Sequence, residues 1–263
     1  MKLDLSLDEF NAIMAERGWV VFPRAVDPAL VARMAEDLEA AWDICRAMQE
    51  KNGVASDADH TVHHLIGLKP SFLEYIDASE ALNPYYEAYF GGRYILNSFG
   101  GAINTQGRTS YAQRIHRDIR SYSGDMPLLL NTLVMLDDFT ADNGATYMLS
   151  GSHKAAEKPS DEDFYAHAER ATGPAGSVLV FNSNVWHAGG NNTTDRARRS
   201  VTPMYCRPFI KQQFDYPRVL GYDAGASLTA HTRQVIGYNA RVPASLDEWY
   251  QPPERRMYRG DQG

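Results

Sequence analysis

The chain has 263 residues, 44% of them hydrophobic and 22% charged, with a formal net charge of −7. The apolar fraction excludes a disordered polymer, and the acidic balance excludes the basic footprint of a nucleic-acid binder. No apolar run approaches the roughly 18 residues of a membrane span. Met1-Lys2-Leu3-Asp4 does not open a secretory leader, and Cys45 and Cys206 make no disulfide framework. A cytoplasmic chain without membrane or nucleic-acid partners is the expectation.

Ser6 stands three residues before Glu9, the spacing of a capping box, so a helix is predicted over residues 7–16, with Phe10, Ile13 and Met14 on one face and Gly18 as its stop. Trp19-Val20-Val21-Phe22 reads as a short buried strand ended by Pro23. Asp27 and Pro28 begin a second helix, whose apolar positions from Leu30 to Met48 recur at spacings of three and four until Gly53. Residues 52–64 read as a polar loop, and short helices are expected over 71–77 and 79–90.

From Tyr94 onward the periodicity changes. Strand-length runs at 94–96, 128–136, 147–149, 177–181 and 201–205 are separated by Gly, Asn and Asp turns, the pattern of a sandwich or jelly roll. Residues 154–172 are charged and read as a loop over one face. The tail 243–263, with Pro243, Pro252 and Pro253, reads as irregular. The expected fold is mainly β with helices (α+β): a double-stranded β-helix, jelly-roll or cupin-like, carrying an N-terminal helical layer. We read one domain over 1–263, with helical support over 1–93, a β core over 94–210 and an extension over 211–263.

The chemical signal is His116-Arg117-Asp118, with His187 lying 71 residues further on. Residues i and i+2 of a strand face the same way, so His116 and Asp118 can aim at one point, and His187 can join them from another segment. Two imidazoles and one carboxylate on one face of a metal leave three positions open, which suits non-haem Fe(II). His-x-Asp alone is weak, since such pairs are common in surface turns; its surroundings make the difference.

Those surroundings resemble the phytanoyl-CoA dioxygenase-like family of Fe(II)/2-oxoglutarate-dependent oxygenases. The resemblance rests on Gln113-Arg114-Ile115-His116-Arg117-Asp118. It also rests on Leu133-Val134-Met135-Leu136-Asp137-Asp138, followed by Asn143-Gly144-Ala145-Thr146 and Ser150-Gly151-Ser152-His153, with Ser150 where proline is usual. The segments Gly173-Pro174-Ala175-Gly176-Ser177, Trp186-His187-Ala188-Gly189-Gly190-Asn191, Arg198-Arg199 and Gly237-Tyr238 extend it over nearly the whole chain.

The resemblance implies Fe(II) held by His116, Asp118 and His187, with 2-oxoglutarate and O₂ as co-substrates. It implies Arg198, eleven positions after His187, as the clamp on the far carboxylate of 2-oxoglutarate, a task that suits a planar, always-charged guanidinium. Arg199 competes for that role, but neighbours on a strand face opposite ways; Arg196 has the parity of Arg198 and reads as a solvated turn residue. Gln113 and Thr146 are implied as further co-substrate contacts. The carboxylate of Asp118 argues against a halogenase, because halogenating relatives lack it.

Trp186, Tyr122, Arg117, Arg120, Asn97 and Asn131 are candidates for substrate contact, with Asn104 as a weaker one. His153 reads as structural, His167 and His231 as surface residues, and Asp137-Asp138 as a turn after a strand. His60, His63 and His64 lie in a polar loop without cysteine and read as loop or substrate-side residues rather than a second metal site. The expected activity is hydroxylation of an unactivated C–H bond of a small-molecule metabolite, with release of succinate and CO₂. Desaturation, cyclisation or epimerisation at the same site stays open, as does a different metal on the same fold or a non-catalytic jelly-roll binding protein. The net charge leans against a CoA thioester and toward a small polar or natural-product substrate.

Overall fold

The structure is a computed structural model that describes residues 1–54, 61–107 and 110–262. Helix α1 (Leu7–Glu16) is closed at its start by reciprocal bonds: Ser6 Oγ accepts from Glu9 N, and Glu9 accepts from Ser6 N. Strand β1 (Trp19–Phe22) follows. Helix α2 (Pro28–Lys51) is capped by Asp27, whose carboxylate accepts from the amides of Ala29 and Leu30. Next come β2 (Thr61–Val62), α3 (Pro70–Ala78), a 3₁₀ turn over Ser79–Leu82 and α4 (Asn83–Phe90). The segment expected to be all loop therefore contributes an edge strand, and the helix expected over 79–90 begins as a 3₁₀ turn.

The β region holds β3 (Ile95–Asn104), β4 (Leu129–Met135), β5 (Thr146–Met148), β6 (Glu169–Ala171), β7 (Val178–Asn182), β8 (His187–Ala188) and β9 (Arg198–Cys206). Six strands form an antiparallel sheet in the order β1-β7-β4-β9-β3-β2, and β6-β5-β8 form a smaller antiparallel sheet. The charged stretch read as a loop folds into α5 (Asp161–His167) and β6, because Ser160 caps α5 and Glu169–Ala171 find an open edge on β5. Helices α6 (Tyr216–Leu220), α7 (Ala230–Ile236) and α8 (Leu246–Trp249) belong to the C-terminal extension.

The pleat of the large sheet gives its two faces different work. One face carries Leu130, Val134, Val178, Val180, Val201 and Tyr205, which pack against α1, α2 and α3 through Phe10, Met34, Leu38 and Phe72. Val235 and Ile236 of α7 join that core. The other face carries Leu133, Leu179 and Phe181 and looks toward the small sheet. The N-terminal helices therefore cover one face of the sheet and leave the other for a site.

Gly18 shows how tightly α1 meets the barrel. Its φ is +81°, and a Cβ there would lie 2.4 Å from His153 Nδ1, so His153 is a packing residue. Burial pushes the imidazoles of His64, His153 and His231 below their ordinary value, His64 to about 4. His64 stacks on Phe214 with ring centroids 4.4 Å apart and meets Tyr216 Oη at 3.2 Å. A histidine depressed in the folded state stabilises the fold above its unfolded value near 6.5, and this contribution is lost as the pH falls toward the folded value. Metal-free protein should therefore lose thermal stability between pH 6.5 and 4. His64→Asn, which tolerates the positive φ of 60° at this position, should flatten that slope in melting curves across the window.

Candidate metal centre and cavity

His116 and His187 are held together by their own backbones. The His116 amide donates to the His187 carbonyl, and the His187 amide donates to the His116 carbonyl, each at 2.9 Å. This two-way bridge adds His116 to the small sheet beside β8. The expectation that His116 and Asp118 share a strand is corrected here: only His116 is paired, and the chain bends over Asp118–Arg120. The shared direction survives because the bend turns Asp118 back toward the two rings.

Each imidazole is oriented by the carbonyl two residues before it. His116 Nδ1 faces Arg114 O at 2.7 Å, and His187 Nδ1 faces Val185 O at 3.0 Å. A carbonyl only accepts, so both rings carry the proton on Nδ1 and turn Nε2 inward. The ring centroids are 4.2 Å apart. His116 Nε2 lies 3.5 Å from Asp118 Oδ1, and His187 Nε2 lies 3.6 Å from Asp118 Oδ2. Ligating atoms from all three residues fall within 4.8 Å of one another. Two nitrogens and one carboxylate oxygen on one side of a point fit a divalent first-row metal with open positions.

The electrostatics suit that role. Burial pushes His187 down to about 4, so its ring is a neutral ligand at physiological pH. Burial pushes the Asp118 carboxyl up, but the two imidazoles that face it and the hydrogen bond from the Asn131 amide outweigh burial and hold Asp118 below the usual carboxylate range.

The triad lies on the wall of a cavity of about 390 Å³ between the two sheets. Alternate residues of β9 line it: Arg198, Ser200, Thr202 and Met204. Asn131, Thr132 and Leu133 from β4, Leu179 and Phe181 from β7, and Ser98 and Gly100–Ala102 from β3 line it as well, with Thr146 and Gly189 opposite. Thr61, Val62, His63, Tyr111, Ala112, Arg120 and Gln213 complete the wall.

Arg198 and Arg199 part company as neighbours on a strand must. Arg199 faces away from the cavity and pairs with Asp137, Nε to Oδ2 at 3.0 Å and Nη2 to Oδ1 at 2.7 Å. Arg198 enters the cavity and is 6% exposed. It donates to the carbonyls of Asn143 (3.4 Å) and Gly144 (3.1 Å) and lies 4.2 Å over the Phe139 ring. Burial pushes its guanidinium down to about 10. No carboxylate among the described residues pairs with it. A buried cation without a partner is costly, and an anion supplied from outside relieves that cost.

The other predicted residues are distributed less evenly. Thr146, Arg120 and Asn131 line the cavity, with Arg120 exposed. Gln113 does not: its Oε1 accepts from Ser110 N at 2.9 Å and its Nε2 donates to Asn191 at 3.0 Å. Asn97 is the extra residue of a bulge between Leu96 and Ser98, which turns its amide to Lys211 O at 3.0 Å. Arg117 sits 4.1 Å over Trp186 and 5.3 Å from Tyr122, and donates to the carbonyls of Ala155 and Ala156. Tyr122 Oη adds a bond to Lys154 O. These three residues clamp the 154–156 segment onto the ligand loop and lie outside the cavity wall. His63 reaches the wall, Arg196 is exposed, Asn104 donates to Gly190 O, and His60 lies outside the described residues.

With this geometry in place, comparison with known proteins is informative. Residues 14–200 match the family described as phytanoyl-CoA dioxygenase (PhyH). The chain belongs to the phytanoyl-CoA dioxygenase family. Among curated relatives, an uncharacterized protein of Mycobacterium tuberculosis, Rv1501, is 38% identical over 153 residues, which are 58% of this chain and 56% of that one. The chain thus spans a little over half the length of these first relatives. Dioxygenase sphC of Aspergillus fumigatus is 26% identical, covering 91% of this chain and 70% of its own. Among solved structures, EctD from S. alaskensis, with 2-oxoglutarate and 5-hydroxyectoine, superposes with a TM-score of 0.64 at 16% identity, over 78% of this chain and 77% of that one. The likeness places this PhyH chain in the jelly-roll, cupin-like fold.

Sequence reasoning missed the cradle that holds Arg198. Gly144 has φ +87°, and a Cβ there would lie 2.4 Å from Gly190 O. Its Asn-Gly context carried the signal for a left-handed turn. Gly144→Ala should lower stability by about 1–3 kcal/mol, read by denaturant titration, because the strained turn and the Gly190 contact cannot both be kept.

Proposed function

We propose that this chain is an Fe(II)- and 2-oxoglutarate-dependent dioxygenase that hydroxylates an unactivated C–H bond of a small-molecule metabolite. In that reaction 2-oxoglutarate, O₂ and R–H give succinate, CO₂ and R–OH. The observation that carries the reading is Arg198: a buried guanidinium with no ion pair among the described residues, in the same cavity as a His, Asp, His face. A non-catalytic binding module needs neither, and another cupin-like metalloenzyme needs no dicarboxylate clamp.

His116, Asp118 and His187 would hold the iron, which when bound supplies O₂ activation with 2-oxoglutarate as the reductant. Arg198 binds the far carboxylate of 2-oxoglutarate and sets its orientation, while the Asn143 and Gly144 carbonyls keep the guanidinium in one pose. Thr146, 7% exposed on the wall, is the second co-substrate contact. Gln113 has no such role in this reading, since both ends of its amide are already bonded. Leu133, Leu179 and Phe181 keep the inner cavity dry.

Substrate then approaches over Thr61–His63, Tyr111 and Gln213. Arg120 sits on that wall with no ion pair or hydrogen bond among the described residues, and it would meet a polar or anionic group of the substrate.

Anaerobic addition of Fe(II) and 2-oxoglutarate should give a weak visible charge-transfer band, and admission of O₂ should yield succinate. Absence of both, with a metabolite panel present, would sink the proposal. Asp118→Ala should abolish the band and the turnover. Arg198→Ala should raise the 2-oxoglutarate requirement roughly 10- to 100-fold, the loss expected for a charge-assisted contact worth about 1.5–3 kcal/mol, with the metal site intact.

A further inference from the structure

The two imidazoles of the candidate centre are anchored by the backbone bridge and by their Nδ1 bonds. Asp118 has neither support. It sits on a bend outside any strand, and a carboxylate there is free to rotate unless a side chain stops it.

Asn131 is in position to do so. It occupies β4, paired with Phe181 on one side and Met204 on the other, so its backbone is held between two neighbouring strands. Its Nδ2 donates to Asp118 Oδ2, and its Oδ1 accepts from Ser183 Oγ. The orientation of the amide is forced. An ionised carboxylate only accepts, so the amide must present Nδ2 to Asp118, and Oδ1 is left for the hydroxyl. Asn131 is 8% exposed and Ser183 1% exposed.

Ser183 ties this chain of bonds to the rest of the centre. It lies on the turn between β7 and β8, four residues before His187, and its carbonyl accepts from Ile119 N at 3.3 Å. Its neighbour Asn184 bonds Ser123 through both ends of its amide, accepting from Ser123 N and donating to Ser123 Oγ. The turn that delivers His187 and the loop that delivers Asp118 are thus knit together, with Asn131 as the link to the sheet.

We propose that Asn131, oriented by Ser183, is a positioning residue of the metal centre. It holds Oδ2 of Asp118 and so fixes the rotation of the carboxylate against the two imidazoles. This inference rests on the reading of His116, Asp118 and His187 as metal ligands. An outer-shell partner of this kind is worth about 10–100-fold in metal affinity.

The test is a titration of the purified full chain with Co(II), followed by its visible absorption, with no turnover required. Asn131→Leu should bind Co(II) about 10–100-fold more weakly while keeping the circular dichroism of the parent. Ser183→Ala should weaken binding less, because the amide keeps its donor. The double variant should be no worse than Asn131→Leu alone, since Ser183 acts only through Asn131.

A folded Asn131→Leu protein with unchanged Co(II) affinity overturns the assignment, as does full additivity in the double variant. Should Asn131→Leu fail to fold, unchanged affinity in Ser183→Ala overturns it instead. A parent chain that binds no Co(II) overturns the ligand reading itself, and the assignment with it.

Discussion

The alternation of side chains along the large sheet is the constraint on which everything else depends. Odd positions of β9, Val201 and Tyr205 among them, pack against the helices. Even positions, Arg198 through Met204, line a cavity. A shift of one residue in that strand would bury the Arg199 charge and pull Arg198 out of the site, exchanging the two faces. The register is pinned by β9 pairing with β4 on one side and β3 on the other. The helical layer reinforces it, because Phe10, Leu38 and Phe72 can only be buried against the apolar face.

On that scaffold the charges follow a simple plan. The chain as a whole is acidic, yet Asp118 is the one carboxylate among the described residues of the cavity wall, and it faces two imidazoles. Two arginines line the same cavity, one buried and one at the mouth. The acidic residues that neutralise nearby cations do so outside: Asp137 and Glu39 bind Arg199. The site is therefore electropositive within an acidic protein, which suits anionic co-substrates and keeps a metal's ligands close without a competing acid.

The backbone bridge between His116 and His187 explains how a bend can bring His116, Asp118 and His187 to one point. A ladder one pair long is enough, because the Nδ1 bonds to Arg114 O and Val185 O stop each ring from turning. Precision there comes from local hydrogen bonds, and the support for Asp118 comes from a distant strand.

Residue types and short spacings were enough to single out His116, Asp118 and His187, which the fold brings together, and to expect Arg198 rather than Arg199 on the cavity side. Each depends on period-two geometry or on chemistry that only a few side chains can perform. The capping residues Ser6 and Asp27 were legible for the same reason, since a cap is a bond between near neighbours. The bulge that removes Asn97 from the cavity was not legible, because an unpaired residue is defined by its partner strand, where Leu96 and Ser98 face the consecutive residues Tyr205 and Met204. Trp186, Tyr122 and Arg117 lie near His116, Asp118 and His187 in sequence and suggested substrate contacts, but stacking and the carbonyls of residues 154–156 hold them outside the cavity wall. Likewise, α5 and β6 formed because β5 offered an open edge to a stretch that looked like a loop. What the sequence by itself determined was chemical identity and local geometry, which are properties of near neighbours. Which side chains face the cavity, and what braces Asp118, was decided only by the tertiary structure, because hydrogen bonds between distant segments choose the partner of every buried polar group.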